Sequence, residues 1–485
     1  MLRVSDASRP WWTLVGACTG LFVLMLDSTI VALALPSIRH DLGMSASGLQ
    51  WVMNGYLLVI AALVVTGGRL GDMFGRRTVF TLGLVVFAGG SVLSGAAWSE
   101  GAIIAGRIVQ GIGAAAMLPL SLSIVCDAFP AEGQARALGI WAAISALALA
   151  IGPLIGGLLV DLDWRLIFWV NVPVLALGAA VMVLVVPETR DETATHQLDL
   201  AGLVILAAGL VAIVLPLVES TEWGLASVQT LGVLAIGVAL LVAFWVVEHR
   251  VAQPIVEFPL FRNGPYFGAS AAAFALVGAY WSLIFFQPQY LQDGLGYSAT
   301  TTGLLILPVT APMIVISPLA GRLIARFGAR VLMTVGMLCG VAGLIFLTQI
   351  SDGSGYARVL PGYLLFGIAL GLVYAPMSSA AMAAMPAEKT GIASGVLAMD
   401  RVLAGALGLA ATGAVFQSLL EHHGFAVALG RSNWVLVALV AIGTALTWLF
   451  VRSAPAPASS ADPAVAGSPV PSELRHHQHH RRFHL

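Results

Sequence analysis

The composition of this 485-residue chain excludes an ordinary soluble domain. Hydrophobic residues make up 59% of the chain and charged residues only 10%, whereas about a quarter of a soluble domain is charged. The formal net charge of −1 gives no basis for binding nucleic acid or an acidic partner. We therefore expect an integral membrane protein.

Fourteen apolar runs are long enough to cross a bilayer as single helices, so the predicted fold class is all-α. The segment 453–485 follows them, is rich in Ala, Pro and Ser, and ends in a His-rich stretch. Because such a composition cannot bury a core, this tail is expected to be disordered. The predicted spans are 12–36, 49–67, 78–97, 101–125, 137–160, 166–186, 200–218, 228–247, 266–291, 302–321, 331–350, 359–384, 390–418 and 433–451.

The distribution of basic residues predicts the orientation. With the N-terminus inside, four of the 23 Lys and Arg residues lie in outer loops, two lie within spans, and seventeen face the inner side. Because cytoplasmic loops are enriched in Lys and Arg, both termini of this multi-pass protein are expected in the cytoplasm. The four outer residues are Arg39, Arg165, Arg358 and Arg431.

Asp27 is the only charged residue between Pro10 and Ile38, in the first predicted span. A lone carboxylate at membrane depth is costly unless it faces a wet cavity or binds a proton, as acids in proton-coupled carriers do. A structural acid that is hydrogen-bonded by Ser28 and Thr29 is the alternative. The position favours a function, and transport is the leading hypothesis.

An internal repeat indicates two related halves. Residues Gly68–Arg77 recur as Gly321–Arg330 with six of ten positions identical, and both copies fall in predicted inner loops. A parallel repeat of half-transporters gives this pattern, with the substrate site near mid-membrane between the halves. The predicted halves are 1–186 and 265–452, with two additional spans and linkers in 187–264. Asp72 has become Ala325 in the second copy, so the two loops are not equivalent in function.

Several stretches resemble a known family. Gly68–Arg77 is similar to the signature between spans two and three of the major facilitator superfamily. Further stretches narrow the resemblance to its fourteen-span drug:proton antiporters (EmrB/QacA type). They are Leu26–Pro36, Arg107–Gly113, Gly152–Gly157 and Trp164–Pro173.

The resemblance covers nearly all of the chain except the tail. It implies two six-helix bundles with two inserted helices, in the cell membrane of a bacterium. It also implies a monomer that exports a small molecule against protons, without a cofactor. Ala32 is a departure, because the family usually has Asn at that position.

The signature loop combines flexible and charged residues. Gly68 and Gly75 allow a tight reversal, and Arg76 and Arg77 are expected at the inner surface among lipid phosphates. Asp72 among these arginines offers a breakable charge contact, and by resemblance it latches the two halves in one state. A passive positive-inside turn is the alternative.

The fifth predicted span carries Gly152, Pro153, Gly156 and Gly157. Proline kinks a helix, and small residues let another helix pack close, so we predict a kinked, close-packed helix. Ordinary small-residue packing is the alternative reading. By resemblance this is the antiporter signature, and the direction of export rests on that resemblance alone.

Arg107 lies within the fourth predicted span, and Gln110 follows on the same helical face. A buried guanidinium needs an acceptor, which is either Asp27 or the backbone carbonyls of another helix. These two alternatives are compatible. Pairing with Arg107 would favour the charged form of Asp27, whereas burial would favour the neutral acid, so a small movement would change its protonation.

Aromatic side chains are plentiful in the spans, including Trp141, Tyr280 and Trp281. Most such residues face lipid or pack between helices. As a set they are also suited to bind lipophilic, often cationic compounds. The residues expected to line that cavity are Trp51, Tyr56, Tyr290 and Tyr374.

Asp400 and Arg401 are adjacent in the eleventh superfamily span, where the family usually has a small or polar residue in place of the acid. Neighbours on a helix point about 100° apart, so these two should not simply pair with each other. Both residues are assigned to the substrate cavity. If Arg401 faces the helix bundle, Asp400 is expected to line the cavity or to meet another helix, and to select cationic substrates. A solvated bystander is the alternative.

Other classes of membrane protein fit less well. An ATP-driven pump is disfavoured because the chain has one lysine, Lys389, and no phosphate-binding loop. A membrane enzyme or metal site is disfavoured because none of the ten histidines falls within a predicted span. An exporter of an endogenous metabolite remains the alternative to a drug exporter, since both would use the same fold.

Overall fold

The computed structural model describes residue 5 and residues 8–191, 197–251, 253–386 and 389–451. Within these residues, fourteen helices are long and apolar enough to cross a membrane, as predicted. The predicted disordered tail, 453–485, lies outside the described residues. The helices are α1 (Arg9–Leu42), α2 (Ala46–Phe74), α3 (Arg76–Gly95), α4 (Glu100–Ala128), α5 (Arg136–Leu162), α6 (Leu166–Val185), α7 (Leu200–Val218), α8 (Val228–Glu248), α9 (Gly264–Gly294), α10 (Ala299–Ile324), α11 (Arg326–Thr348), α12 (Tyr356–Ala383), α13 (Gly391–Leu420) and α14 (Phe425–Phe450).

Several helices are longer than the apolar runs that predicted them. The helix of α1 ends at Leu42 rather than 36, the one that contains α5 begins at Ala131, and α14 begins at Phe425 rather than 433. The added residues are largely polar or small. An apolar run marks the part of a helix that matches the hydrocarbon core, whereas the helix itself continues until its backbone is capped.

The two copies of the ten-residue repeat turn the chain in the same way. Gly75 has φ 108° between α2 and α3, and Gly328, at the same position of the second copy, has φ 77°. Side chains other than glycine are strained at such angles. This shared turn supports a parallel repeat, while the division at residues 186 and 265 stays a prediction.

The helices form a bundle in which each half has its own internal contacts and two seams join the halves. α1 packs on α4, α5 and α6, and α9 packs on α12, α13 and α14. The halves meet where α2 contacts α13 and where α5 contacts α10. These two seams leave room between the halves for a cavity.

The two inserted helices, α7 and α8, pair with each other, and α7 also contacts both α2 and α13. Polar contacts fix them to α2 at two places. The Trp51 indole donates to the Glu219 carboxylate at 2.8 Å, and Arg69 donates to the Gln253 carbonyl and side chain at 3.1 and 2.7 Å. The insertion therefore lies against a seam between the halves.

Replacement of Gly75 with alanine should lower the stability of the fold. A Cβ there would be strained by the positive φ and would lie 2.6 Å from the Glu188 carboxyl. We expect a loss of about 1–3 kcal/mol in the free energy of unfolding, measured by thermal unfolding of the purified protein in detergent. Gly89→Ala is the matched control, because nothing lies within 4 Å of a Cβ at that position. Identical unfolding of Gly75→Ala and the wild type would contradict the role of the turn.

Candidate functional site

Asp27 of α1 and Arg107 of α4 form an ion pair inside the first half. The Arg107 Nη1 donates to Asp27 Oδ2 at 2.6 Å, and the two residues are 1% and 0% exposed. Taking both charges out of water is costly unless the geometry is good and further hydrogen bonds satisfy them. The surroundings of this pair therefore decide whether it is stable.

Three helices supply the polar surroundings of the Asp27 carboxylate. Gln110 of α4 and Asn171 of α6 donate to Asp27 Oδ1 at 3.3 and 3.2 Å. The Ser91 hydroxyl of α3 accepts from the same two amides at 2.8 and 3.4 Å. With Arg107, the carboxylate accepts hydrogen bonds from three donors.

Arg107 also has contacts that do not depend on Asp27. Its Nε donates to the Val52 carbonyl at 3.1 Å, and its Nη1 donates to Gln110 Oε1 at 2.8 Å. Its guanidinium lies 4.1 Å from the centre of the Tyr56 ring. Both sequence-based alternatives for Arg107, an acidic partner and a backbone carbonyl, are therefore present together.

A cavity of about 820 Å³ lies between the halves, beside this ion pair. Met25 and Ser28 of α1 line it, whereas the Asp27 side chain does not. One end reaches Gly68, Asp72 and Arg76 of the signature loop. The size and largely apolar lining suit an organic small molecule. The aromatic residues of the wall are Trp141, Tyr280, Trp281 and Tyr374.

The opposite end of the bundle is closed by α5 and α10. A Cβ on Gly157 would lie 2.5 Å from the Ala299 carbonyl, and one on Gly303 would lie 2.1 Å from the Pro153 carbonyl. The Asp161 carboxylate accepts hydrogen bonds from the backbone N–H groups of residues 299 and 300 at 3.1 and 3.0 Å. Only glycine permits this approach, so the predicted close-packed helix joins the two halves.

The other two glycines of this motif face α1. A Cβ on Gly152 would collide with the Thr29 hydroxyl at 1.9 Å, and one on Gly156 would lie 3.2 Å from the Ile30 backbone. Thr29 and Ile30 follow closely on Asp27 along α1. The motif therefore packs against the stretch of α1 that carries the buried acid.

Arg76 binds two carboxylates beside the mouth of the cavity. Its Nε and Nη2 donate to Asp72 at 2.9 and 2.8 Å, and its Nη1 donates to Asp127 at 2.6 Å. The backbone N–H of Arg77 donates to Glu188 at 2.9 Å. These partners belong to the first half and to the segment after α6. A latch between the halves is therefore not formed by these contacts in this conformation, and its role stays a prediction.

Two of the six residues predicted to line the cavity do so, Tyr374 and Arg401. The other four are not among its lining residues, and each faces a different partner. Trp51 donates to Glu219, Tyr56 lies under Arg107, Tyr290 donates to the Ser354 carbonyl at 2.6 Å, and Asp400 lies beside Ser270 of α9. For this conformation the cavity assignment of Trp51, Tyr56 and Tyr290 is corrected, and Asp400 lies against another helix, the second of its two expected positions. Residue type predicted burial in the bundle but not which face of the helix points inward.

Ser91 and Asn171 complete the polar surroundings of Asp27 and were not predicted from the sequence. Asn171 lies within Trp164–Pro173, one of the stretches that carry the family resemblance. A lone amide in an apolar run was the available signal, because buried polar groups need partners. Ser91 offered no such signal, since serine is common in membrane helices.

Comparison with known proteins identifies the family. The profile described as Major Facilitator Superfamily matches residues 17–409. The chain belongs to the major facilitator superfamily. It is thus a multi-pass membrane transporter rather than an enzyme, and its fourteen spans fit the fourteen-span drug:proton antiporter type.

Named relatives align with most of the chain. It is 38% identical over 414 residues to the multidrug resistance protein Stp of Mycobacterium tuberculosis. That alignment covers 84% of this chain and 76% of the relative. It is 34% identical over 495 residues to the puromycin resistance protein of Streptomyces alboniger, which covers 96% of each. A crystal structure of a D-xylose–proton symporter has a TM-score of 0.66 at 17% identity and covers 91% of this chain and 97% of that one. This last similarity shows the fold alone.

Replacement of Arg107 with methionine should destabilise the protein strongly. It leaves Asp27 buried without its cationic partner, and breaking a buried pair in this way costs about 3–5 kcal/mol. Asp27→Asn alone should cost less, because Arg107 keeps Gln110, Val52 and Tyr56. In the double variant, Asp27→Asn should recover much of the stability lost in Arg107→Met, as measured by thermal unfolding at neutral pH. Simple addition of the two losses in the double variant would contradict a coupled pair.

Proposed function

We propose that the chain is a proton-coupled antiporter that exports lipophilic small molecules across the cell membrane by alternating access. The observation that carries the proposal is the buried Asp27–Arg107 pair beside a cavity between two halves. Relatives named as multidrug resistance and puromycin resistance proteins support export as the direction.

The end of the cavity at the signature loop is assigned to the cytoplasm, together with both termini. The basis is the excess of Lys and Arg in the loops predicted on that side of the membrane. The conformation described above is then open to the cytoplasm and closed to the outside where α5 meets α10. In this state a lipophilic compound would enter from the cytoplasm or the inner leaflet.

The coupling step is a change in the charge of Asp27. In the inward-open state the carboxylate is held by Arg107, Gln110 and Asn171. A proton taken up from the outside would neutralise Asp27 and weaken its attraction to Arg107, which keeps its contacts with Val52 and Tyr56. The substrate leaves outside as the proton binds, and the proton is released after the transporter reopens inward.

The signature loop and the fifth span are assigned to the conformational change. Closing the cytoplasmic end would bring Asp72 toward the start of α13, since Gly391 lines the same cavity. Opening the outer end would separate Gly157 from Ala299. Each net charge that moves inward contributes about 2.3 kcal/mol per 100 mV of membrane potential to this cycle.

An exporter of an endogenous metabolite is the second candidate, because it would use the same pair, cavity and halves. The names of the relatives favour antibiotics and other drugs. Export of a compound made by the host cell, with no export of added drugs, would favour the metabolite.

Asp27→Asn should abolish export that is driven by a pH gradient while the protein still inserts in the membrane. Asn keeps the shape and hydrogen bonding of the acid but cannot carry a proton. The assay is export of fluorescent lipophilic probes carried by the wild type, in everted membrane vesicles with and without a protonophore. Asp41→Asn is the matched control, because Asp41 lies on the same helix and pairs with Arg165 at its partly exposed end. Gradient-driven export by Asp27→Asn would contradict the assignment.

A further inference from the structure

The charged side chains that line the cavity are unevenly distributed along its depth. Five of the six that line it in the described part of the chain lie near the signature-loop end, close to the ends of spans or in the connections between them. Arg401 is the sixth and lies well inside α13. The deep part of the cavity therefore presents a cation without a lining acid. The five residues near the mouth are Arg69, Asp72, Arg76, Asp191 and Glu257.

Arg401 is held in place by neutral partners. Its Nη2 donates to the Ser378 hydroxyl at 2.7 Å, and its guanidinium lies 4.9 Å from the centre of the Tyr374 ring. Its Nε is buried without a hydrogen-bond partner in the described part of the chain. No carboxylate of a described residue lies within the 4.0 Å of an ion pair with it. Arg107 and Arg76, by contrast, both have acidic partners.

The neighbouring acid does not fill this role. Asp400 lies beside Ser270 and Tyr266 of α9 and interacts with Arg401 only at longer range. Its Oδ2 is buried without a hydrogen-bond partner among the described residues. Asp400 is thus directed at another helix, and the cavity side of Arg401 remains available to an external anion.

A second donor and several rings surround the same space. Tyr280 lines the cavity and is 8% exposed, and its hydroxyl has no hydrogen-bond partner in the described part of the chain. Trp141, Trp281 and Tyr374 present aromatic surfaces from three different helices. A buried donor without a partner costs free energy that a bound acceptor would recover. Flat rings on the ligand would pack against the aromatic walls.

We propose that the cavity selects lipophilic aromatic acids, whose carboxylate or phenolate pairs with Arg401 while their rings pack against Trp141, Trp281 and Tyr374. This inference rests on the proposed export function and reverses the preference for cations expected from the sequence. A cationic ligand would need a lining acid at this depth and would be repelled by Arg401. An acid instead meets a guanidinium that is already ordered by Ser378 and Tyr374, and charge-assisted hydrogen bonds of this kind are strong.

The test compares three probes that share one ring system and differ in charge: naphthylacetate, naphthylethanol and naphthylethylammonium. Binding to the full chain in lipid nanodiscs is measured by calorimetry, with the signal of empty nanodiscs subtracted. We expect naphthylacetate to bind most tightly. Arg401→Gln should weaken its binding about tenfold or more and leave naphthylethanol nearly unchanged. Arg401→Lys should keep part of the preference, and Tyr280→Phe should weaken naphthylacetate without removing a charge.

Asp400→Asn is the matched control on the adjacent residue. It removes an acid near Arg401, so binding of naphthylacetate should be kept or strengthened. Tighter binding of naphthylethylammonium to the wild type, or equal losses for all three probes in Arg401→Gln, would overturn the proposal. If Arg401→Gln does not fold, the ranking of the probes on the wild type and on Tyr280→Phe still decides.

Export of the three probes by proteoliposomes with a pH gradient separates this inference from the proposed function. Gradient-driven export of the alcohol and the ammonium probe, but not of the acid, would leave the antiporter in place and exclude the aromatic-acid class. Specific binding of the acid with no gradient-driven export of any probe would support the class and exclude the antiporter.

Discussion

The buried ion pair between Asp27 and Arg107 constrains the rest of the transporter. Neither charge is stable at that depth alone, so each must be held by the other and by the polar groups around them. The pair and those groups together come from five helices, α1, α2, α3, α4 and α6, and their contacts fix how these helices pack. The first half is thereby suited to move as a rigid unit. Protonation of Asp27 removes one of the two charges, so the interaction that fixes the packing also responds to proton binding.

The second half repeats the backbone of the first but not its charges. Gly75 and Gly328 make the same left-handed turn, whereas Asp72 of the first copy is replaced by Ala325. Arg107 has an acidic partner within its half, while Arg401 has a serine and a tyrosine. On the proposed function and the inferred preference for aromatic acids, the first half carries the proton and the second half contacts the anionic part of the substrate. Binding of the substrate and binding of the proton would then be coupled through the cavity. Ser28, the residue that follows Asp27, lines this cavity.

Much of the fold was predictable because bilayer thickness imposes a strong pattern. Fourteen apolar runs gave fourteen spans, and the repeated loop identified two equivalent turns. The ends of α1 and α14 were misplaced because helices continue into the polar interface, where the hydrophobic signal fades. Asp27 and Arg107 were also identifiable from the sequence, because a charged residue in an apolar run is costly in a membrane. Their pairing was one of two readings, because the sequence does not say which helices are neighbours.

The cavity was less predictable, because it depends on how each helix is rotated and on which seam is open. Tyr56 is buried and Trp51 partly buried on α2, yet Tyr56 lies under Arg107 and Trp51 donates to Glu219 beside the inserted helices. Asp400 and Arg401 are adjacent, and only Arg401 faces the cavity. Trp141, Tyr280 and Trp281 were among the many aromatic residues of the predicted spans. Only the packing of α5 and α9 shows that these three line the cavity. Neighbouring residues on a helix point about 100° apart, so a shift of one residue decides whether a side chain faces the cavity.

The central claim is that substrate and proton compete through Asp27. Its most direct test is proton release when a transported compound binds to the purified protein in weakly buffered solution, followed with a pH-sensitive dye. The wild type and Asp41→Asn should both release protons on binding, whereas Asp27→Asn should bind the compound and release none. Equal release from Asp27→Asn, or binding to the wild type without release at any pH between mildly acidic and mildly basic, would contradict the claim.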